Sequence, residues 1–273
     1  MIRIIRVALL SLAITVFSVS AAQAGTIVAD SGFRPGTDGF SFPNYGDSEN
    51  YKGLDNAEVQ RIFGRAVCLT GRGANCVLRP EVRNWMYDMN SSMDGGHCYG
   101  FSALTQVIYK GQLPRFGYDS IEAFGASSPF ALDIVGNDRL QRSIARAFVY
   151  QFMPSVLGGT VFDTPNKVLQ YLIDHLGDGS RQSWNLLIFQ WGYQAGHAIT
   201  PYAVEDMGGG IYEVHVYDNN WPDDDTRRVR FDTNRNTWHY FASINPDAQG
   251  ADYRGNAKSK TVFLKPNTPA LGI

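Results

Sequence analysis

The chain is predicted to be α+β, with helices gathered in its first two-thirds and an antiparallel sheet in its last third. Two observations carry the prediction. Apolar residues recur at helical spacing in segments between residues 55 and 177, whereas from Trp184 to Leu264 short runs rich in Trp, Tyr, Val and Ile alternate with clusters of Gly, Asn, Asp and Pro. No internal repeat is present, and segregation of this kind places helices beside a sheet rather than in alternation with its strands.

Residues 1–24 have the form of an export signal: Arg3 and Arg6 precede the apolar run Val7–Val19, and Ala22-Gln23-Ala24 has the small-x-small pattern of a cleavage site. The mature chain is expected to begin at Gly25 and to be secreted or periplasmic. It is expected to have no stable membrane anchor, because the apolar run is too short for a comfortable span and no later stretch is long and uncharged enough. Loss of the leader removes two arginines and no acid, so 24 basic residues become 22 against 26 acidic ones. The resulting charge of −4 argues against a nucleic-acid partner.

From Asp30 to Lys52, Gly, Pro, Asp, Asn and the aromatics Phe33, Phe40, Phe42, Tyr45 and Tyr51 follow neither period, which predicts an irregular, packed arm. Asp55 caps a short helix bearing Val59, Ile62 and Phe63, ended by Gly64. A helix beginning at Cys98 carries Ala103, Leu104, Val107 and Ile108 and closes at Gly111 and Pro114. Ser120 to Phe124 is a single turn, and 138–152 is a helix with Leu140, Ile144, Ala147, Phe148 and Phe152 on one face. Thr164-Pro165 starts another helix, through Val168, Leu169, Leu172, Ile173 and Leu176 to Gly177. Strands are expected at 184–191, 198–205, 211–218, 227–232, 237–242 and 261–264. The expected organisation is a signal peptide (1–24), an arm with the short helix and a disulfide loop (25–84), and a main domain (85–273).

The three cysteines divide two to one. Cys68 and Cys76 bracket a turn-rich loop that can bring its ends together, and a disulfide between them is expected to contribute about 2–3 kcal/mol. Cys98 is left over, directly after Asp94-Gly95-Gly96-His97 and at a helix start, where unpaired N–H groups and the dipole favour thiolate over thiol. A leftover thiol in an exported protein is reactive, paired between molecules, or buried and inert; the helix start favours the first.

A cysteine nucleophile needs an imidazole to exchange its proton with, and the imidazole needs a third group to fix its tautomer. Of the five histidines, His197 is best placed, at a strand start and flanked by Gly196 and Ala198. His97, although next to Cys98, points away from the thiol on a helix turn. The strand 198–205 turns through Asp206 to Gly210 into 211–218, so His197 faces Asp218 or Asn219. A one-residue register decides between them, and Asp218, which ends the strand, is preferred.

The Gly-His-Cys-Tyr-Gly helix start at 96–100, the Gly-His-Ala strand start at 196–198 and the strand end Tyr217-Asp218-Asn219-Asn220-Trp221, in that order, resemble the papain-like cysteine peptidase superfamily over roughly Trp85 to Trp238. The resemblance implies a papain-like two-lobed fold for residues 85–273, with a helical lobe carrying Cys98 as nucleophile. A sheet lobe would carry His197 as general base and acid and Asp218 or Asn219 as its orienter. It implies attack on a peptide or isopeptide amide through a thioester on Cys98, a peptide or protein substrate that includes cell-wall peptide, and no cofactor. A transglutaminase-like acyl transferase shares this chemistry with an amine acceptor, and a catalytically silent binding domain would keep the fold alone. One departure stands out: the superfamily usually places a glutamine shortly before the cysteine to help hold the oxyanion, and none lies between Gln60 and Cys98. Asn90, the nearest amide, is the expected substitute.

Other features have plainer readings. Asp223-Asp224-Asp225 lacks EF-hand spacing and fits a solvated turn, so no metal is expected. His215 fits a structural role and His175 the C-terminal charge of a helix. Trp221, directly after the expected orienter, has a positional reason to cover the catalytic pair.

Overall fold

A computed structural model describes residues 25–241 and 252–272; the expected signal peptide lies outside the described residues. The chain enters through β1 (Thr26–Asp30), the one-turn helix α1 (Pro35–Asp38) and the arm, and reaches α2 (Asn56–Phe63). A small hairpin of β2 (Cys68–Thr70) and β3 (Val77–Leu78) precedes α3 (Pro80–Ser91) and α4 (Cys98–Tyr109). Then come α5 (Leu113–Phe116), α6 (Asp138–Val149), α7 (Pro154–Gly158) and α8 (Pro165–His175). The remaining strands are β4 (Trp184–Phe189), β5 (Gly196–Gly208), β6 (Ile211–Tyr217), β7 (Arg228–Asp232), β8 (Thr237–Phe241), β9 (Asp252–Asn256) and β10 (Val262–Pro266). The fold is α+β, as the segregated patterning predicts, and every named strand pairing is antiparallel.

The main sheet runs β10-β4-β5-β6-β7-β8-β9, with β1 also paired to β5. Its two end strands are consecutive in the chain. Laid flat, seven strands would hold the ends about 29 Å apart, whereas the backbone from Asn256 to Val262 reaches about 21 Å at full extension. The sheet must therefore curl, and Thr261 Oγ1 donates across the gap to the Arg254 carbonyl at 3.4 Å. Curling turns one face inward on Val214, Val229, Phe231, Trp238, Tyr240 and Tyr253, all essentially water-free.

A second core gathers the helices around α4. That helix is buried on nearly every side, between α6 and strands β4 and β5. Its closest approach is at Gly100, where a Cβ would lie 2.2 Å from the Ile144 carbonyl oxygen. Toward the sheet, Ser102 Oγ donates to Asn185 Oδ1 (2.7 Å), Gln106 Nε2 donates to the same oxygen (3.0 Å), and Asn185 Nδ2 donates to Asn267 Oδ1 (2.6 Å). These buried amides satisfy one another, as burial requires.

The arm belongs to this core. Phe40 and Tyr45 pack edge-on against Phe101 of α4, and the Phe40 amide and carbonyl both meet the Tyr217 hydroxyl at 3.2 Å. The expected boundary at residue 85 falls inside α3, an element absent from the sequence expectations. Half of α3 is polar and among its residues only Met86 is buried, so its apolar period is faint. Asp55 caps α2 by accepting from the Glu58 N–H, whereas Thr164 makes no side-chain cap bond for α8. The expected helix 138–152 is α6 followed by a tighter 3₁₀ turn, Tyr150–Phe152.

Cys68 and Cys76 are disulfide-bonded, with Cα atoms 5.4 Å apart. No helix among the described residues is long and apolar enough to cross a membrane. Reducing this bridge, or replacing both cysteines with serine, is expected to lower stability by about 2–3 kcal/mol, measured as an earlier urea midpoint. A second expectation concerns His97, which burial pushes down from 6.5 to about 4 while its Nδ1–H is held by the Tyr45 carbonyl at 2.8 Å. Its folded value lies below its unfolded one, so stability is full above about 6.5 and declines as pH falls toward 4, because the unfolded chain takes the proton first. Urea midpoints across that window should fall less steeply in His97→Gln.

Candidate active site

Cys98 is the first residue of α4, so its N–H belongs to the first turn, whose donors have no partner within the helix. The preceding Gly96 holds a φ of 141°, a conformation suited to glycine, and a Cβ there would meet the Asn44 amide nitrogen at 2.9 Å. His197 sits at the start of β5, opposite Ile188 of β4, and its side chain is buried. Its Nε2 lies 2.7 Å from Asp218 Oδ1, and Cys98 lies close enough to act on the ring electrostatically. Since Nε2 faces the carboxylate, Nδ1 is the nitrogen left for sulfur.

Asp218 follows β6 and has 0% exposure. Its Oδ1 also accepts the Asn220 N–H at 2.9 Å, and its Oδ2 accepts the Tyr240 hydroxyl at 2.5 Å. Burial opposes charge on both members of the pair. The mutual attraction overcomes it, holding the Asp218 carboxyl below the usual carboxylate range and pushing the His197 imidazolium up to about 10 with help from Cys98.

Asn219 does not compete with Asp218 for His197. Its Nδ2 donates to the Cys98 carbonyl at 3.1 Å and to the Ala198 carbonyl at 2.8 Å, tying the start of α4 to the start of β5. Asn90 is also not at the site: its amide accepts the Leu54 N–H (2.8 Å) and donates to the Leu54 carbonyl (3.1 Å), anchoring the arm. It lines a different cavity from Cys98. Trp221 carries the Arg227 guanidinium 4.4 Å from its ring centroid, and the aromatic that touches Asp218 is Tyr240. His215 pairs with Glu205 at 2.8 Å.

Asn44, in the arm, is the residue that sequence reasoning missed. Its Oδ1 accepts the His97 N–H at 2.7 Å, which fixes the amide so that Nδ2 faces the other way, donating to Asn220 Oδ1 at 3.0 Å. One N–H of that nitrogen remains, and Asn44 lines the same cavity as Cys98 and His197. This cavity, of about 420 Å³, has Phe148, Leu187 and Phe189 as apolar wall and Gly95 and Gly96 as backbone wall. Among the described residues, no group of three or more His, Cys, Asp or Glu side chains is placed to hold a metal.

No protein-family model, curated protein or solved structure matches the chain. Removing the charge from the carboxylate should release the imidazolium: in Asp218→Asn the His197 titration midpoint, followed by NMR, is expected to drop by about 2 pH units.

Proposed function

We propose that the protein is a thiol-dependent hydrolase of amide bonds, with Cys98 as nucleophile, His197 as general base and acid, and Asp218 as the group that orients His197. The observation that supports it is the buried His197–Asp218 pair, with His197 and the half-buried Cys98 lining one cavity that could admit a substrate carbonyl. In this reading Cys98 sulfur attacks the carbonyl carbon, and the oxygen takes up negative charge facing the Cys98 N–H and the spare Asn44 N–H. The tetrahedral intermediate collapses as His197 gives its proton to the leaving amine, forming a thioester. Water, deprotonated by His197, then attacks the thioester, releasing a carboxylic acid and the thiol.

This arrangement agrees with the papain-like resemblance of the sequence, and helices on one side with a curled sheet on the other would be its two lobes. Asn44 would stand in for the family's glutamine, contributed by the arm rather than by the segment before the cysteine. The arm would then complete the site, and peptides or isopeptides, those of cell walls included, are the substrates to screen.

Iodoacetamide should label Cys98 rapidly at pH 6, and His197→Ala should slow labelling by at least about tenfold. Equal labelling in both proteins would instead favour a silent binding domain. With an amide substrate in hand, Cys98→Ala is expected to abolish turnover, and faster product formation on adding an amine would identify acyl transfer in place of hydrolysis.

A further inference from the structure

We propose that Tyr240 is a positioning residue of this site, holding the Asp218 carboxylate in place so that His197 stays aimed at Cys98; the inference rests on the thiol-hydrolase reading above. Tyr240 lies on β8, where Trp238 and Tyr240 are buried and His239 and Phe241 alternate outward. Its ring sits among the apolar side chains of the sheet core, in register with Tyr253 of β9. Phenylalanine would fill that space equally well, so packing accounts for the ring and leaves the hydroxyl unexplained. A buried hydroxyl needs a partner, and this one meets Asp218 Oδ2 at 2.5 Å.

The carboxylate is thereby held at both oxygens: Oδ1 by His197 and the Asn220 N–H, Oδ2 by Tyr240. Bonds at Oδ1 alone would leave the carboxylate free to pivot about that oxygen and swing the imidazole with it. A donor on Oδ2 fixes the plane, and because it donates to a charge it also favours the anion. Other titratable groups reach this pair electrostatically. Cys98 lines the cavity, Tyr253 lies on β9, Tyr217 precedes Asp218, and Arg227, Asp223 and Asp224 come from the segment leading into β7. Arg227 and Asp224 pair with each other at 2.8 Å, so they largely cancel as seen from Tyr240.

The test is the pH profile of Cys98 alkylation in wild type, Tyr240→Phe, Asp218→Asn and the double variant. Tyr240→Phe keeps the ring and removes the donor; its acid limb is expected to move up by about one pH unit and its plateau rate to fall about tenfold. In the Asp218→Asn background the same change should have little further effect, because Tyr240 acts through Asp218. A Tyr240→Phe profile superimposable on wild type, or losses that simply add in the double variant, would overturn the assignment. A merely structural tyrosine would lower the melting temperature and leave the acid limb where it is. Should the phenylalanine variant not fold, the ¹⁵N-labelled wild type provides the readout. A far-downfield proton without nitrogen splitting is expected from the Tyr240–Asp218 bond, moving when Cys98 is alkylated, and one that does not move overturns the role. Wild-type protein without His197-dependent labelling would defeat the hydrolase reading itself, whereas labelling with an unchanged Tyr240→Phe profile defeats the role of Tyr240 alone.

Discussion

A carboxylate with no exposure to water is tolerable only if the interior supplies what water would have given, and the candidate site is arranged around that requirement at Asp218. Its donors come from separated parts of the chain: a ring nitrogen from β5, a backbone N–H two residues on, and a phenol from β8. The ring and the phenol are delivered by strand register, the N–H by the turn that follows β6. The curl of the sheet brings β8 round to the end of β6, and the same curl buries the aromatic face that makes the interior dry. Removing any one donor would leave a buried charge less well solvated, so packing and electrostatics are coupled here.

The helical side is joined to this centre by short polar links. Asn219 grips the carbonyls of Cys98 and Ala198, and Asn44 grips the His97 N–H while its own N–H donates to the Asn219 carbonyl at 2.7 Å. Three consecutive residues, Asp218 to Asn220, thus hold the imidazole, the start of α4 and the arm. Deeper in, the Ser102, Gln106 and Asn185 amide network continues the same seam.

What could be read from the sequence follows from how local each signal is. Cys98 and His197 announce themselves through glycine-flanked element starts, and the disulfide through a short turn-rich loop. Asp218 against Asn219 was undecidable by counting, because the β5–β6 pairing shifts register between Pro201 and Ala203 and again between Asp206 and Gly208. Asn44 was invisible for another reason: it sits in an irregular arm whose course is set by the burial of Phe40 and Tyr45, so distance along the chain gave no hint of proximity. Strand β9, Asp252–Asn256, contains Gly, Asp and Asn, which strands disfavour, and pairing with β8 overrides that preference. Tyr240 left a fainter trace, a hydroxyl on the buried face of an expected strand.

The placement of β8 and β10 has a consequence for how the protein comes into being. Cys98 is synthesised about 140 residues before Tyr240, and β4 acquires its outer partner only when β10 has been made. Contacts this distant in sequence form late and slowly, after the local helices. A growing chain therefore carries Cys98 before the strands that bring His197 and Tyr240 to Asp218 have been made. The arrangement around Asp218 is thus a property of the nearly finished chain.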